Sequence, residues 1–264
     1  MSALTGMHVY TDRGGIGRTR ARELRAAGVR GVVLCAEAVD GWTATDANAE
    51  RWGEAAAAGG LETAVYAFPG LPRTVEPVRV AEHLVRIARG CGARTVVADV
   101  EAPYRGQGKR LVALLDAIDE ARSEELALDP VGVTTLGLPS DPGTRWPWPA
   151  LLEWMRSHPE TWLGWQCYER ARADRLVDGG IAELRAALGA DGAARVVPHL
   201  ATYPRRTTTA EGLDGPARLI ADLDRACLGA DGRPCVPGVV LWRNASLGDD
   251  ELWALRAWTA RAGW

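Results

Sequence analysis

The sequence of 264 residues has little of what several common protein classes need. No stretch approaches the about 18 uninterrupted apolar residues of a membrane-spanning helix. The opening MSALTGMHVYTDRGG has neither the basic segment nor the apolar segment of a secretory signal. Lys and Arg number 31 against 34 Asp and Glu, which gives a net charge of −3 and no positive surplus to attract a phosphate backbone. We therefore expect a protein that is cytoplasmic as synthesised, with neither a membrane nor nucleic acid as partner.

Cysteine and histidine are also sparse, at five and four residues. The cysteines are widely spread and contain no CxxC pair of the kind that a zinc site or a redox motif needs. The composition therefore predicts no metal site, no cofactor and no disulfide framework, and it favours free, mostly buried thiols. The five cysteines are Cys35, Cys91, Cys167, Cys227 and Cys235.

What the chain does contain is a regular alternation of short β-branched runs with longer amphipathic segments, and 47% of its residues are hydrophobic. The runs predict eight strands, at 7–12, 31–36, 62–67, 94–100, 131–137, 161–167, 195–200 and 237–243. The longer segments predict eight helices, at 18–27, 46–59, 75–89, 108–122, 148–157, 175–188, 211–228 and 249–261. Thr208 and Glu211 have the spacing of a capping box for the seventh of them.

Strand and helix alternate eight times without a linker or a break in composition. The sequence therefore predicts an α/β fold with a single (β/α)8 TIM-type barrel domain over residues 1–264, and an open doubly wound sheet is the competing arrangement. Function in such barrels lies at the carboxyl ends of the strands.

The fourth predicted strand ends in the most informative motif, Asp99-Val100-Glu101. Because side chains alternate along a strand, Val97, Asp99 and Glu101 are expected to face the barrel mouth while the residues between them pack under the helices. Two carboxyls this close raise the pKa of at least one of them, so that one stays protonated while the other is ionised. This division suits general acid catalysis of glycoside hydrolysis. The alternative is structural: Asp99 would cap the next loop, and Glu101 would pair with Arg105.

The other strand ends add polar and aromatic groups that could line a sugar pocket. Sugars stack their C–H faces on aromatic rings and offer hydroxyls to amides and carboxylates. For any single tryptophan, packing in the core is the competing explanation. The predicted lining residues are His8, Tyr10, Asp12, Glu37, Tyr66, Gln166, Tyr168, His199 and Trp242, with Asp40, Tyr203 and Asn244 nearby and Trp148 and Trp165 as further platforms.

Taken in order, these landmarks resemble the family 25 glycoside hydrolases, which are lysozymes that cleave peptidoglycan on an irregular (β/α) barrel. That family has a first strand close to G-I-D-V-S, a helix ending A-A-G-V, a second strand of the F-V-I-I-K type ending in E-G, a third strand with Y-x-F and a fourth with D-x-E. Here the corresponding segments are Gly6-Met7-His8-Val9-Tyr10, Ala26-Ala27-Gly28-Val29, Gly31-Val32-Val33-Leu34 with Asp40-Gly41, Tyr66-Ala67-Phe68 and Asp99-Val100-Glu101. The resemblance covers about the first 105 residues, and it implies that Glu101 is the catalytic acid and Asp99 its partner.

The chain departs from the family pattern at two of its acids. His8 stands where the first-strand aspartate belongs, and Asp40 replaces the glutamate of the second-strand E-G. Related barrels also occur in phage tails and lysis proteins, and this setting implies a second location, in a phage virion, and a second class of partner, the subunits of a tail assembly.

Three functions follow. The first is a glycoside hydrolase acting on peptidoglycan or another bacterial surface glycan. The second is a catalytically degenerate barrel that binds glycan or serves as a structural part of a phage tail. The third is a metal-dependent hydrolase that would use His8, Asp99, Glu101 and His199.

Overall fold

A computed structural model describes residues 4–11, 15–38, 41–42, 45–67, 76–101, 104–124, 128–135, 138–140, 145–167, 179–189, 192–202, 215–242 and 244–264. For Glu37 and Asn244 it describes the backbone and not the side chain. The predicted capping box at 208–211 lies outside the described residues, as do Asp12, Asp40, Tyr168 and Tyr203.

Eight parallel strands close into a barrel, which confirms the predicted fold. Their order around the barrel follows the chain, and the first strand pairs with both the second and the last, so no edge is left open. A two-residue strand, β3, pairs antiparallel with the end of β2 and was not predicted. The strands are β1 (Gly6–Tyr10), β2 (Gly31–Ala38), β3 (Gly41–Trp42), β4 (Glu62–Ala67), β5 (Thr95–Val100), β6 (Gly132–Thr135), β7 (Trp162–Gln166), β8 (Val196–Ala201) and β9 (Gly238–Trp242).

The helices between the strands begin where local start signals place them. Thr45 accepts a hydrogen bond from the Asn48 N–H at 3.3 Å, and the Glu251 carboxylate accepts one from the Gly248 N–H at 3.0 Å. The four-residue α7 was not predicted. The helices are α1 (Arg18–Ala26), α2 (Asp46–Ala58), α3 (Pro77–Gly90), α4 (Gly108–Ser123), α5 (Trp148–Ser157), α6 (Ile181–Leu188), α7 (Gly192–Arg195), α8 (Gly215–Cys227) and α9 (Asp249–Ala262).

The apolar core has two layers, as the alternation of side chains in a parallel barrel requires. The larger layer lies between the strands and the helices, and the smaller fills the barrel interior. Glycines inside the barrel leave room for rings from neighbouring strands. A Cβ at Gly132 would overlap the ring of Trp162, and one at Gly31 would overlap His8.

Among the helices of the described ranges, none combines the length and the apolar character that crossing a bilayer demands.

Candidate active site at the carboxyl ends of the strands

The side chains of β5 alternate as predicted. Val96, Ala98 and Val100 belong to the layer under the helices, whereas Val97 belongs to the barrel interior. Asp99 has the same parity as Val97 and lies inside the barrel near its carboxyl end, with 3% of its surface exposed. The strand therefore delivers a carboxyl group to the place where barrels carry their chemistry.

A hydrogen bond across the barrel fixes this carboxyl. The Gln166 Nε2–H donates to Asp99 Oδ1 at 2.7 Å, and both side chains are buried. Gln166 ends β7, so the bond joins two strands that are separated by β6. It ties two residues that the sequence predicted as separate features of the pocket.

Burial is the largest cause of a raised pKa at Asp99, and the negative charge of Glu101 is the second. The Gln166 N–H acts in the opposite direction, since it stabilises the ionised carboxylate. Glu101 follows β5 directly and is half-buried, and its carbonyl accepts the Tyr104 N–H at 3.0 Å. The inner carboxyl of the pair, Asp99, therefore keeps its proton to higher pH than an isolated carboxyl does.

Three aromatic rings lie together inside the barrel and form what we call the aromatic triad. The ring centroids of Tyr10 and Tyr66 are 4.6 Å apart, those of Tyr10 and Trp242 are 4.6 Å apart, and those of Tyr66 and Trp242 are 5.9 Å apart. All three pairs meet edge to face. Trp242, which ends β9, is the partly exposed member of the triad.

The triad is close to the carboxyl pair. The negative charges of Asp99 and Glu101 both contribute to raising the pKa of Tyr10, after burial. Tyr66 shows the same direction of shift, with burial again the largest cause. The strands therefore bring together two carboxyls, an amide and three rings at one end of the barrel.

His199 is fully buried beside these groups. A hydrogen bond of 3.2 Å joins its Nδ1 to Thr134 Oγ1, and its ring lies 5.4 Å from that of Tyr10. Burial lowers its pKa to about 3, so the imidazole is neutral near neutral pH. Tyr10, Tyr66, Thr134 and His199 come from alternate barrel strands, which is how four side chains form one layer of such a barrel.

His8 lies further from the carboxyl ends than Tyr10, because it precedes Tyr10 by two residues on β1. It packs against Gly31, where β2 begins, and is buried. Burial is the largest cause of a pKa lowered to about 4. This location corrects the expectation that His8 stands near the mouth, and its contact with substrate stays a prediction.

Two predicted sugar platforms face elsewhere. Trp165 has the outward parity of β7 and packs under the helices, where a Cβ at Gly180 would overlap its ring. Trp148 is on α5 and is buried in the same layer. Neither ring is available to stack on a sugar. The expectation was wrong for these two residues because both rings pack in the core between the strands and the helices.

Sequence reasoning missed Thr134, whose hydroxyl meets His199. The alternation of Gly132 and Thr134 on one face of β6 was the available signal. The four residues of the metal alternative do not form a ligand group: within the described ranges, no cluster of three or more His, Cys, Asp or Glu could hold a metal ion.

Comparison with known proteins supports the fold. No protein-family model matches the sequence, and no curated protein is significantly similar to it. An endo-β-N-acetylglucosaminidase from Cordyceps militaris superposes with a TM-score of 0.63 at 10% identity, covering 98% of this chain and 90% of its own. A class V chitinase from Pseudomonas fluorescens gives 0.62 at 11% identity, over 96% and 99% of the two chains. The spore cortex-lytic enzyme SleL from Bacillus megaterium gives 0.58 at 10% identity, over 96% and 73%.

These likenesses show the (β/α)8 barrel fold and no more, since the identities are near 10%. The resemblance to family 25 is confirmed only to this extent.

Proposed function

We propose that the protein is a glycoside hydrolase acting on a bacterial surface glycan, with peptidoglycan as the first candidate. One observation carries the proposal. The Asp99 carboxyl is buried at the carboxyl end of the fourth barrel strand, β5, and accepts a hydrogen bond from Gln166. Glu101 follows it two residues later in the chain. Structural likeness to enzymes named as chitinases, an endo-β-N-acetylglucosaminidase and a cortex-lytic enzyme supports a glycan substrate.

In this proposal the two carboxyls divide the work of acid catalysis. The negative charge of Glu101 raises the pKa of Asp99, so the pair retains a proton to higher pH than an isolated carboxyl would. Glu101 is the more exposed member: it takes up that proton from Asp99 and donates it to the glycosidic oxygen as the bond to the leaving sugar breaks. Asp99, then ionised, stabilises the positive charge that develops on the sugar ring, and a water molecule adds to the ring carbon and returns one proton to the carboxyl pair.

Gln166 would keep the Asp99 oxygen in place during this step. Its amide N–H donates to the carboxyl whether or not Asp99 is ionised, and the bond is stronger to the ionised form. The amide therefore favours the charged state of Asp99 that the transition state requires.

The aromatic triad supplies the surface for the sugar. Trp242 is its partly exposed ring, and the edge-to-face contacts with Tyr10 and Tyr66 hold it in one orientation. A fixed ring offers a flat apolar face to the C–H groups of a pyranose. The sequence alone suggests further contacts with the sugar, at Asp12, Glu37 and Tyr168. His8 and His199 are buried, and we propose that they act on the sugar through the residues around them.

A second candidate is a degenerate barrel that binds glycan or belongs to a phage tail. One observation favours it: position 8, which is an aspartate in the family 25 pattern, here holds a buried imidazole whose pKa is lowered to about 4. A neutral ring at that position cannot replace the missing negative charge.

Purified walls separate the two candidates. Wild-type protein should release soluble fragments, and Glu101→Gln should lose this activity while still sedimenting with the walls. The matched control is Glu153→Gln on α5, an exposed glutamate far from β5 in the chain, which should behave as wild type. Binding without release of fragments by the wild type would replace the hydrolase by the binding module.

A further inference from the structure

The connection from α8 to β9 is a short hairpin at the amino-terminal side of the barrel. Leu228 and Pro234 form an antiparallel bridge, and the Gly229 N–H donates to the Arg233 carbonyl at 2.8 Å. Gly232 closes the turn in the left-handed region, with φ of +72°. This is the three-residue hairpin loop in which a glycine takes the last loop position.

A backbone hydrogen bond at the base of this hairpin brings two cysteines together. One step outside the Leu228–Pro234 bridge, the Cys235 N–H donates to the Cys227 carbonyl at 2.8 Å. A backbone hydrogen bond of this kind holds the two Cα atoms about 5.5 Å apart, and the Cys235 sulfur is near enough to Cys227 to raise its pKa. Disulfides span Cα separations of about 4.4–6.8 Å, and both thiols are free here.

We propose that Cys227 and Cys235 form a dithiol site that a low-molecular-weight disulfide oxidises to an intramolecular disulfide. The site is independent of the proposed hydrolase, because it lies in the hairpin that precedes β9 and not at the barrel mouth.

Cys235 is the sulfur that an oxidant reaches first. It is exposed, whereas Cys227 is fully buried at the end of α8. The Arg185 guanidinium donates to the Cys235 carbonyl at 2.6 Å and directs the same Nη2–H to Sγ at 4.0 Å.

The reaction proceeds in two exchanges. The Cys235 thiolate attacks one sulfur of the small disulfide, forms a mixed disulfide and releases one small thiolate. The Cys227 sulfur then attacks the Cys235 sulfur, the second small thiolate leaves, and the Cys227 proton passes to it. The two protein thiols are oxidised, and the small disulfide is reduced to two thiols.

Burial excludes Cys227 from the first step. It is the largest cause of the raised pKa of Cys227, and the neighbouring sulfur of Cys235 is the next. Cys227 therefore stays protonated and unreactive towards solvent, so the first exchange takes place at Cys235. The other groups that raise this pKa are Asp224 and Cys167, and the Cys167 Sγ–H donates to the Trp165 carbonyl at 3.4 Å.

The link would tie the end of α8 to the segment that leads into β9. Closing this loop restricts the unfolded chain, so the oxidised protein should melt at a higher temperature than the reduced one.

The test exposes the full-length folded protein to glutathione disulfide and measures the intact mass, followed by alkylation and peptide mapping. Wild type should lose two hydrogens, retain no glutathione and give a single Cys227–Cys235 crosslinked peptide. Cys227→Ala should accumulate a stable glutathione adduct at Cys235, and Cys235→Ser should take none. Cys91→Ser removes a buried cysteine at the end of α3 and should behave as wild type.

The melting temperature of the wild type is a second measurement, and it does not depend on how the variants fold. It should rise on oxidation and fall back to the value of the reduced protein on treatment with dithiothreitol. The proposal is overturned if wild type keeps the mixed disulfide at Cys235, if both thiols remain open to alkylation, or if the crosslink joins Cys227 to Cys167.

Discussion

At the scale of single residues, the proposed site depends on a carboxyl group whose burial costs free energy. Asp99 loses most of its hydration inside the barrel and regains one charge-stabilising contact, the Gln166 N–H. Proteins seldom bury an ionisable side chain in this way without a chemical use for it. The cost of burial should therefore appear in the free energy of unfolding, and the chemical use should appear in the pH dependence of catalysis.

Asp99→Asn should raise the stability of the protein at neutral pH by about 1–3 kcal/mol, the range found for buried polar groups in proteins. The pKa of Asp99 is higher in the folded than in the unfolded chain. As pH rises above the unfolded value of about 3.9, ionisation therefore favours unfolding, and asparagine removes this effect. Urea unfolding at pH 3 and pH 7 measures it. If the difference in unfolding free energy between Asp99→Asn and wild type were the same at pH 3 and pH 7, the raised pKa of Asp99 would be contradicted.

Gln166→Leu should move the pH dependence of glycan hydrolysis to higher pH. The Gln166 N–H lowers the pKa of Asp99, so its removal leaves burial and the charge of Glu101 to raise that pKa further. The rate profile of the variant against that of wild type measures the shift, with Gln166→Glu as a second variant that adds a third acid and shifts the profile the same way. A profile that loses amplitude without moving would assign Gln166 a purely structural role.

At the scale of elements, sequence pattern was enough to place all eight barrel strands, because a parallel strand buried on both faces is a continuous apolar run. It was also enough to place Asp99 on the inner face of β5, because the alternation of side chains between the two faces can be read from a single strand. Segments as short as β3 and α7 carry no periodicity, and they were missed.

Contacts between strands could not be predicted in the same way. Asp99 and Gln166 are 67 residues apart, and their hydrogen bond depends on the closure and register of the barrel. The directions of Trp165 and Trp148 likewise depend on which face of the element meets the helices. The sequence supplied the members of the site and not their pairing.

Gly132→Ala tests the packing of the barrel interior, where the added Cβ would overlap the Trp162 ring. Overpacking of this kind should destabilise the protein by about 1–3 kcal/mol. Gly90→Ala is the matched control: it lies on α3, its Cβ would meet only the Ala49 Cβ at an ordinary 3.5 Å, and alanine is the better helix former. Equal melting temperatures for the two variants would show that the barrel interior can accommodate a Cβ at position 132 without strain.

At the scale of the whole molecule, the barrel closes eight strands and gathers their carboxyl ends at one mouth. That geometry serves many reactions, so the identity of the reaction depends on the groups at the mouth. Those described here are two carboxyls, an amide and three aromatic rings, which suits the protonation of a glycosidic oxygen.

Hydrolysis should accordingly continue in the presence of a chelator. The proton donor and the charge that stabilises the transition state both come from carboxyls. Fragment release from walls before and after treatment with EDTA measures this dependence. Activity lost with EDTA and restored by one divalent cation would favour the metal-dependent alternative.

The most direct measurement of the central claim is the rate at which new reducing ends appear in purified peptidoglycan, with the mass of the soluble fragments. We predict that wild type produces fragments carrying the added elements of water. Glu101→Gln should be slower by about 10²–10⁴-fold, the usual contribution of a general acid, while melting as wild type does. Equal rates for the two proteins, or no new reducing ends from either, would contradict the assignment of this carboxyl pair as a hydrolytic site.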